Sequence, residues 1–367
     1  MSLKALSRLA SLMFGLSFVG AACAQHEGPA GDQGSGAGHE QVEKFNAGKM
    51  ILEHIADEHG WHLWGHTSIP LPVILYDSER GLKVFSSARF EHGHASHDGY
   101  ALSEGGEVIA VGANGLEDEA ATDRIWDISI TKNVVSLFVS VVLLLLIFGS
   151  IARSYSRRTG QAPKGLQNLL EPIILFVRDD VAKSAIGKKK YERFMPFLLT
   201  VFFFIFLNNL LGLVPIFPGG ANLTGNIAIT FILACFTFVI VTLNGNAHYW
   251  RHILAMPGVP VWVLVILTPV EILGMFLKPF VLMIRLFANM AAGHIIALSF
   301  FSLIFVFGET SAGAGYGVAI GSWAFTVFMG LLELLVAFIQ AYVFTFLSAI
   351  YIGAAVEEHH EHKESIV

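Results

Sequence analysis

A run of 48 residues from Pro260 to Phe307 carries almost no charge: PVWVLVILTPVEILGMFLKPFVLMIRLFANMAAGHIIALSFFSLIFVF. As a helix it would extend about 72 Å at ~1.5 Å per residue, whereas the hydrocarbon layer of a membrane is about 30 Å thick. We therefore expect an element that is either broken at Pro269 or Pro279 or steeply tilted. A flexible Gly-rich turn, Gly308 to Gly321, should precede a second overlong helix, Val318 to Gly353.

The composition of the whole chain agrees with a membrane location. Its 367 residues are 54% hydrophobic and 14% charged, against about 25% charge in an average soluble domain. Between Phe194 and Gly353 only six residues are Asp, Glu, Lys or Arg. The net charge of −6 also argues against a nucleic-acid binder. The sequence therefore predicts an all-α polytopic membrane protein.

The apolar runs divide a membrane domain, 134–353, into helices. One of them alternates apolar and charged residues at helical spacing and should lie at the membrane interface. The others give about five transmembrane helices if each element crosses once, whereas two crossings in the 48-residue run would move the C-terminus to the other side. The predicted ranges are 134–151, 166–187 (interfacial), 194–215, 223–243, 260–307 and 318–353.

The N-terminal third has a different composition. Residues 1–24 are typical of a signal peptide, although lipidation of Cys23 is an alternative reading. The segment 25–133 is acidic and holds nine of the fifteen histidines. It is expected to be a small α+β appendage, with helical spacing from Phe45 to His59, a β-hairpin joining residues 73–76 to 82–85, and further strands around Gly105. Its histidines suggest a metal site, but a solvated acidic loop is the favoured interpretation, so we expect no metal and no cofactor.

Charge asymmetry predicts the orientation. The loop from Ala152 to Arg193 has ten basic and four acidic residues, whereas the preceding exported segment is strongly acidic. By the positive-inside rule the loop lies in the cytoplasm and segment 25–133 outside. We expect a multi-pass protein of the inner (plasma) membrane, with a cytoplasmic tail at 354–367 in the five-crossing arrangement.

Ionisable residues inside apolar helices are costly, so they are functional candidates. Glu271, Lys278 and Arg285 recur every seven residues and should share one helical stripe. In an antiparallel hairpin with its turn centred on Ala312, Arg285 and Gln340 are 27 and 28 residues from the turn, so they should lie at the same depth in the membrane. The same count places His294 and Glu333 together nearer the outside, with Glu271 and Lys278 toward the cytoplasm.

This layout predicts two proton half-pathways. A carboxylate and an imidazole, Glu333 and His294, can hold and pass protons, and Glu271 supplies an inner acceptor. The guanidinium of Arg285 does not deprotonate, so it would block leakage and discharge a carboxylate brought beside it. Such a carboxylate must come from another subunit. Purely structural roles are the alternatives. Lys278 could extend to the membrane interface or pair with Glu271, and His294 and Glu333 could form an interhelical ion pair. Gln340 could stabilise helix–helix packing.

The sequence resembles subunit a of the F-type ATP synthase, the membrane stator of a rotary motor. The resemblance covers Val134 to Gly353 and rests on Lys278 to His294 (KPFVLMIRLFANMAAGH), Gln340 to Phe344 (QAYVF), Asn209 to Pro215 (NLLGLVP) and Phe176 to Lys183. It implies that the last two helices form a long tilted hairpin along a ring of c subunits.

The resemblance also implies roles for individual residues. Arg285 matches the essential arginine that faces the ring carboxylate, and Asn289 and Gln340 match polar neighbours in that interface. Glu271 matches the acid of the cytoplasmic half-channel. His294 and Glu333 match the outer pair in exchanged order, and Asn209 and Lys278 are secondary candidates.

The expected partners are the c-ring, the peripheral stalk subunit b and the lipid bilayer, with no nucleic acid and no nucleotide bound by this chain. We expect a non-catalytic proton-channel subunit. The alternatives are a proton-coupled secondary transporter, disfavoured because no internal repeat is visible, and a membrane cytochrome, disfavoured because His294 is the only histidine within a predicted span.

Overall fold

The chain divides into two compact units in a computed structural model. One unit comprises Met1–Phe138, Leu211–Ala221 and His294–Met329, and the other comprises Val139–Leu210, Asn222–Gly293 and Gly330–Val367. The structure describes Gly48 and residues 57–64, 67–93, 95–103, 105–112, 115–157, 160–214, 219–256 and 258–357. The predicted signal peptide and most of the helix expected at residues 45–59 lie outside these ranges, and Asp57, Glu58 and His59 are not helical.

The N-terminal part of the first unit is a small β domain. β1 (Gly60–Trp64) pairs with β2 (Thr67–Pro70), and β5 (Tyr100–Leu102) pairs with β6 (Val108–Ala110). A third sheet has the order β4-β3-β7 and is antiparallel throughout. Its strands are β3 (Pro72–Asp77), β4 (Gly81–Ser86) and β7 (Ile125–Asp127), and the one-turn helix α1 (Glu119–Thr122) precedes β7. The predicted hairpin and the strands around Gly105 are confirmed, whereas β7 was not predicted.

The core of this domain is formed where alternate residues of β3 turn inward. Val73 and Leu75 are fully buried against Phe90, Tyr100 and Val108. The Tyr100 hydroxyl donates a hydrogen bond to the Asp77 carboxylate across 3.2 Å. Burial and the neighbouring Asp77 carboxylate raise the pKa of Tyr100, so the phenol is protonated over the whole neutral range.

The rest of the described chain is mainly helical. Within it, five helices are long and apolar enough to cross a membrane, which confirms the predicted fold class. A helix satisfies its backbone groups internally and is therefore one of the few structures tolerated in lipid. The five are α2 (Lys132–Arg157), α5 (Tyr191–Leu213), α6 (Ile227–Asn244), α8 (Val261–Thr310) and α9 (Ala312–Val356); α7 (Ala247–Leu254) is a short connecting helix.

The last two helices are longer than a membrane is thick. α8 has 50 residues and α9 has 45, or about 75 and 68 Å at ~1.5 Å per residue. α8 continues through both Pro269 and Pro279, so the alternative of a broken helix is wrong. The expectation of a flexible turn from Gly308 to Gly321 is also wrong, because α8 reaches Thr310 and α9 begins at Ala312.

The predicted interfacial helix is interrupted. α3 (Leu166–Phe176) runs into a π-helical segment, Val177–Ala182, and then into α4 (Lys183–Ile186). Exposed Asp179 accepts hydrogen bonds from Arg178 and Lys183, and these lower the pKa of its carboxyl well below the usual range. The wider π turn keeps Val177 and Val181 fully buried while these charges face outward.

The core of the second unit is built from several helices. Phe202 and Ile205 of α5, Leu286 of α8, and Phe344 and Ile352 of α9 are fully buried in one cluster. The glycine at position 353 lies so close to the Ala185 carbonyl that a β-carbon would collide with it. Glycine therefore sets the closest approach of α9 to the segment around α4.

Candidate functional site

Arg285 lies on the exposed side of α8. Leu282 and Leu286 are buried on the other side of the helix, whereas Lys278, Val281 and Arg285 form an exposed stripe. Arg285 makes no hydrogen bond or ion pair with any residue that the structure describes. An arginine so placed in a membrane-spanning helix needs an external counter-charge.

Asn289 and Gln340 connect the two long helices. The Asn289 side-chain amide donates a hydrogen bond of 2.8 Å to the amide oxygen of Gln340, whose side chain is buried. The sequence count placed Gln340 level with Arg285, and that register is wrong by about one turn, because the partner of Gln340 is four residues further along α8. The hydrogen-bonded pair is therefore about one helical turn from Arg285 along α8.

Glu333 lies on α9 against a glycine of α8. A β-carbon at Gly293 would come within 2.9 Å of Glu333 Oε1. That oxygen is buried and accepts no hydrogen bond from the described residues. Since an unpaired buried carboxylate oxygen is costly, the site is suited to a proton or a water molecule. Gly293 was not recognised from the sequence, because a glycine carries no chemistry of its own.

His294 contacts α5 within the first unit. A β-carbon at Gly212 would come within 3.7 Å of His294 Cε1, an ordinary contact distance. The small residue therefore leaves room for the imidazole beside α5.

Asn209 is a buried link between three segments of the second unit. Its amide nitrogen donates to the Ala337 carbonyl of α9 over 3.3 Å, and its amide oxygen accepts from the Thr224 hydroxyl over 2.6 Å. Ala337 is one turn beyond Glu333, so Asn209 holds α9 near that carboxylate. Thr224 was missed because it lies in an uncharged loop without a recognisable pattern.

Glu271 lies near Tyr249 of α7. Burial, and to a smaller extent the Glu271 carboxylate, raise the pKa of Tyr249. Glu271 forms no ion pair with Lys278 among the described side chains, so that alternative is not seen. The Lys278 ammonium instead lies 5.7 Å from the centre of the Tyr351 ring.

A small cavity lies beside Lys278. Its walls come from four helices of the second unit, α6, α7, α8 and α9. Tyr249 and Tyr351 place two phenols in these walls, and neither was predicted from the sequence. Lone tyrosines in apolar helices and loops are usually packing residues, so no sequence signal identified them. The lining residues are Thr237, Phe238, Val241, Tyr249, Met275, Lys278, Pro279 and Tyr351.

His59 of the β domain differs from the expected solvated loop. His59 is buried, with Nε2 3.1 Å from an Asp127 carboxylate oxygen and Nδ1 3.2 Å from the Gly106 carbonyl oxygen. Over the described ranges no three His, Cys, Asp or Glu side chains are grouped so that they could hold a metal ion.

Two family models match the chain. Residues 134–353 match the model described as ATP synthase A chain, and residues 50–128 match a model described only as a domain of unknown function.

Similar proteins carry the same description. The ATP synthase subunit a of Chloroherpeton thalassium is 47% identical over 243 residues, covering 65% of this chain and 69% of its own length. ATP synthase subunit a 2 of Chlorobaculum tepidum is 47% identical over 244 residues, covering 65% of this chain and 66% of its own. ATP synthase subunit a of Myxococcus xanthus is 44% identical over 260 residues, covering 68% and 80%.

Proposed function

Since the chain belongs to the ATP synthase A chain family, we propose that it provides two half-channels to the carboxylates of a c-ring, separated by the charge of Arg285. The chain is a proton-translocating subunit of the membrane sector of an ATP synthase. Membership of this family argues against both alternatives, a secondary transporter and a membrane cytochrome.

One observation carries the proposal: the unpaired, exposed guanidinium of Arg285 on a membrane-spanning helix. A charge at mid-membrane costs roughly 2.5–3.5 kcal/mol on insertion scales and more on some estimates. A carboxylate presented by a neighbouring subunit offsets that cost and loses its proton as it meets the arginine. Because the guanidinium keeps its own proton, it separates the two half-channels electrically.

The outer half-channel is assigned to His294 and Glu333. The buried, unbonded oxygen of Glu333 supports a role in accepting protons or water. An imidazole changes charge near neutral pH, so His294 can exchange protons with the aqueous phase. Gly293 and Gly212 leave space for these two side chains.

The inner half-channel is assigned to Glu271, with the cavity beside Lys278 as its aqueous approach. The negative charge of the Glu271 carboxylate contributes to the raised pKa of Tyr249, and Tyr249 lines that cavity. Lys278 is a secondary member that sets the local potential. Asn209, Asn289 and Gln340 position the helices around the path rather than carry protons.

The remaining assignments follow from the family and the charge pattern. The subunit works in a complex with the c-ring, does not itself catalyse ATP synthesis or hydrolysis, and contacts the peripheral stalk subunit b and lipid. Segment 25–133 lies outside the membrane after removal of residues 1–24, and the C-terminal tail lies in the cytoplasm.

The test is ATP-driven acidification of inverted membrane vesicles in Na⁺-free buffer. Arg285→Ala should abolish pumping while the complex still assembles. Arg251→Ala is the matched control, because Arg251 is an exposed arginine of α7 and its loss should leave pumping unchanged. Pumping that persists in assembled Arg285→Ala would overturn the proposal.

A further inference from the structure

The sheet β4-β3-β7 has two different faces. Val73 and Leu75 enter the core on one side, as described above. On the other side β3 carries Ile74 and the 49% exposed Tyr76. In most antiparallel sheets with one solvated face that face is polar, so an apolar outer face needs an explanation.

The outer face is an apolar array of three rows. Tyr76 pairs with both Leu82 and Trp126, and the pairing continues beyond β7, because the Ile128 amide donates to the Ile74 carbonyl and the Ile130 amide to the Pro72 carbonyl. Trp126 is 71% exposed, and Leu82, Val84 and Ile128 are each more than 60% exposed. The rows, none of which contains a charge, are Leu82–Tyr76–Trp126, Val84–Ile74–Ile128 and Ser86–Pro72–Ile130.

This array is joined rigidly to the start of a membrane-spanning helix. The Asp57 carboxylate accepts hydrogen bonds from the Thr131 hydroxyl over 2.9 Å and from the Asn133 amide over 3.0 Å. The Glu58 carbonyl accepts from the Lys132 amide over 2.9 Å. The connection between β7 and α2 is therefore hydrogen-bonded at successive residues and is not a free linker.

The array must consequently lie close to lipid. The apolar run of α2 begins at Val134, and Ile130 is at most about 10 Å before it along the chain. A headgroup layer adds about 5–7 Å to each side of the hydrocarbon. The row that contains Ile130 thus lies within the headgroup layer or at most a few ångströms beyond it, and the other rows reach the same level if the strands incline toward the membrane plane.

We propose that this outer face rests on the lipid interface of the leaflet in which α2 begins. Trp126 and Tyr76 are of the residue types that concentrate at membrane interfaces. The face is uncharged, and exposed apolar patches of this kind mark membrane or protein contacts. The face also lies next to the start of α2, a helix long and apolar enough to cross a membrane, which presents Phe138, 61% exposed, within the same unit. Lipid contact would fix the β domain flat against the membrane.

Spin-label accessibility in the assembled complex, reconstituted in phosphatidylcholine vesicles, tests the proposal. Labels at Val84→Cys and Leu82→Cys, with Cys235 replaced by serine, report the face at two independent positions. Glu119→Cys is the control, an exposed site on α1 of the same domain. Oxygen partitions into lipid, whereas a nickel chelate stays in water.

Lipid contact predicts that the ratio of oxygen to nickel collision rates is several-fold higher at positions 82 and 84 than at position 119. Two results would overturn the proposal. A ratio equal to that at position 119 means that the face is in water, and low collision rates with both reagents mean that a protein, another subunit or a second copy, covers it.

Discussion

The side-chain amide of Asn289 donates a 2.8 Å hydrogen bond to the amide oxygen of buried Gln340, and this contact sets the register of the two longest helices. The midpoint between the two residues falls at Ala314–Gly315, later than the Ala312 assumed from the sequence. The later midpoint places Asn289, rather than Arg285, opposite Gln340. Arg285 therefore remains available to an external carboxylate.

The first prediction concerns this hydrogen bond. Gln340→Leu removes the acceptor of the Asn289 side-chain amide and so weakens the contact that sets the register of α8 and α9 about one turn from Arg285. ATP-driven proton pumping should therefore fall several-fold, with assembly intact. Thr345→Val is the control, because Thr345 is a buried residue of α9 whose hydroxyl donates within its own helix, to the Ala341 carbonyl. Vesicle acidification measures both variants, and equal losses in the two would contradict a specific role for Gln340.

The second prediction concerns the space beside Glu333. Gly293→Ala puts a methyl group 2.9 Å from Glu333 Oε1, and the flexible carboxylate must move away. We expect normal assembly with reduced proton flux through the membrane sector. Gly274→Ala on the same helix meets no atom within 4 Å and should pump normally. Unchanged flux in Gly293→Ala would show that the position of this carboxylate does not limit conduction.

The third prediction concerns stability. Gly353→Ala drives a methyl group into the Ala185 carbonyl, and overpacking of this kind costs about 1–3 kcal/mol. The detergent-solubilised protein should unfold at a lower temperature than wild type, and less assembled complex should be recovered. Gly330→Ala on the same helix has open space around it and should be neutral or up to about 1 kcal/mol stabilising, because alanine favours helix. A Gly353→Ala protein as stable as wild type would refute the close approach.

The fourth prediction concerns the β domain at acidic pH. Burial tends to raise the pKa of Asp127, but hydrogen bonds from His59 and Ser129 outweigh it and lower the pKa below its usual value. A carboxylate with a depressed pKa stabilises the fold above its unfolded pKa of about 3.9, and that contribution is lost as the pH falls through the folded value.

Hydrogen exchange of peptides around His59 and Asp127 measures this effect. Asp127→Asn should exchange faster than wild type near pH 6, and the difference should shrink as the pH falls below the unfolded pKa of about 3.9 toward the folded value. Asp123→Asn serves as control, since Asp123 is exposed in the same domain. A difference that persists unchanged at low pH would mean that the charge of Asp127 is not its source.

Local sequence patterns were sufficient to predict the membrane class, the five long apolar helices and the hairpin of β3 and β4. They also singled out the polar residues Arg285, Glu333 and His294. These features depend on local pattern, because lipid excludes unpaired backbone and charge, and a strand pair with a short turn is encoded within a few residues.

The tertiary structure decided what depends on contacts between distant segments. The pairing of β7 with β3, the burial of His59 against Asp127 and the partner of Gln340 join residues that are 48 to 68 positions apart. Neither periodicity nor charge specifies such pairs, because packing selects one register among several with the same pattern. Glycines 293 and 353 are informative for the same reason: their importance lies in the atoms that approach them, which only the folded chain brings together.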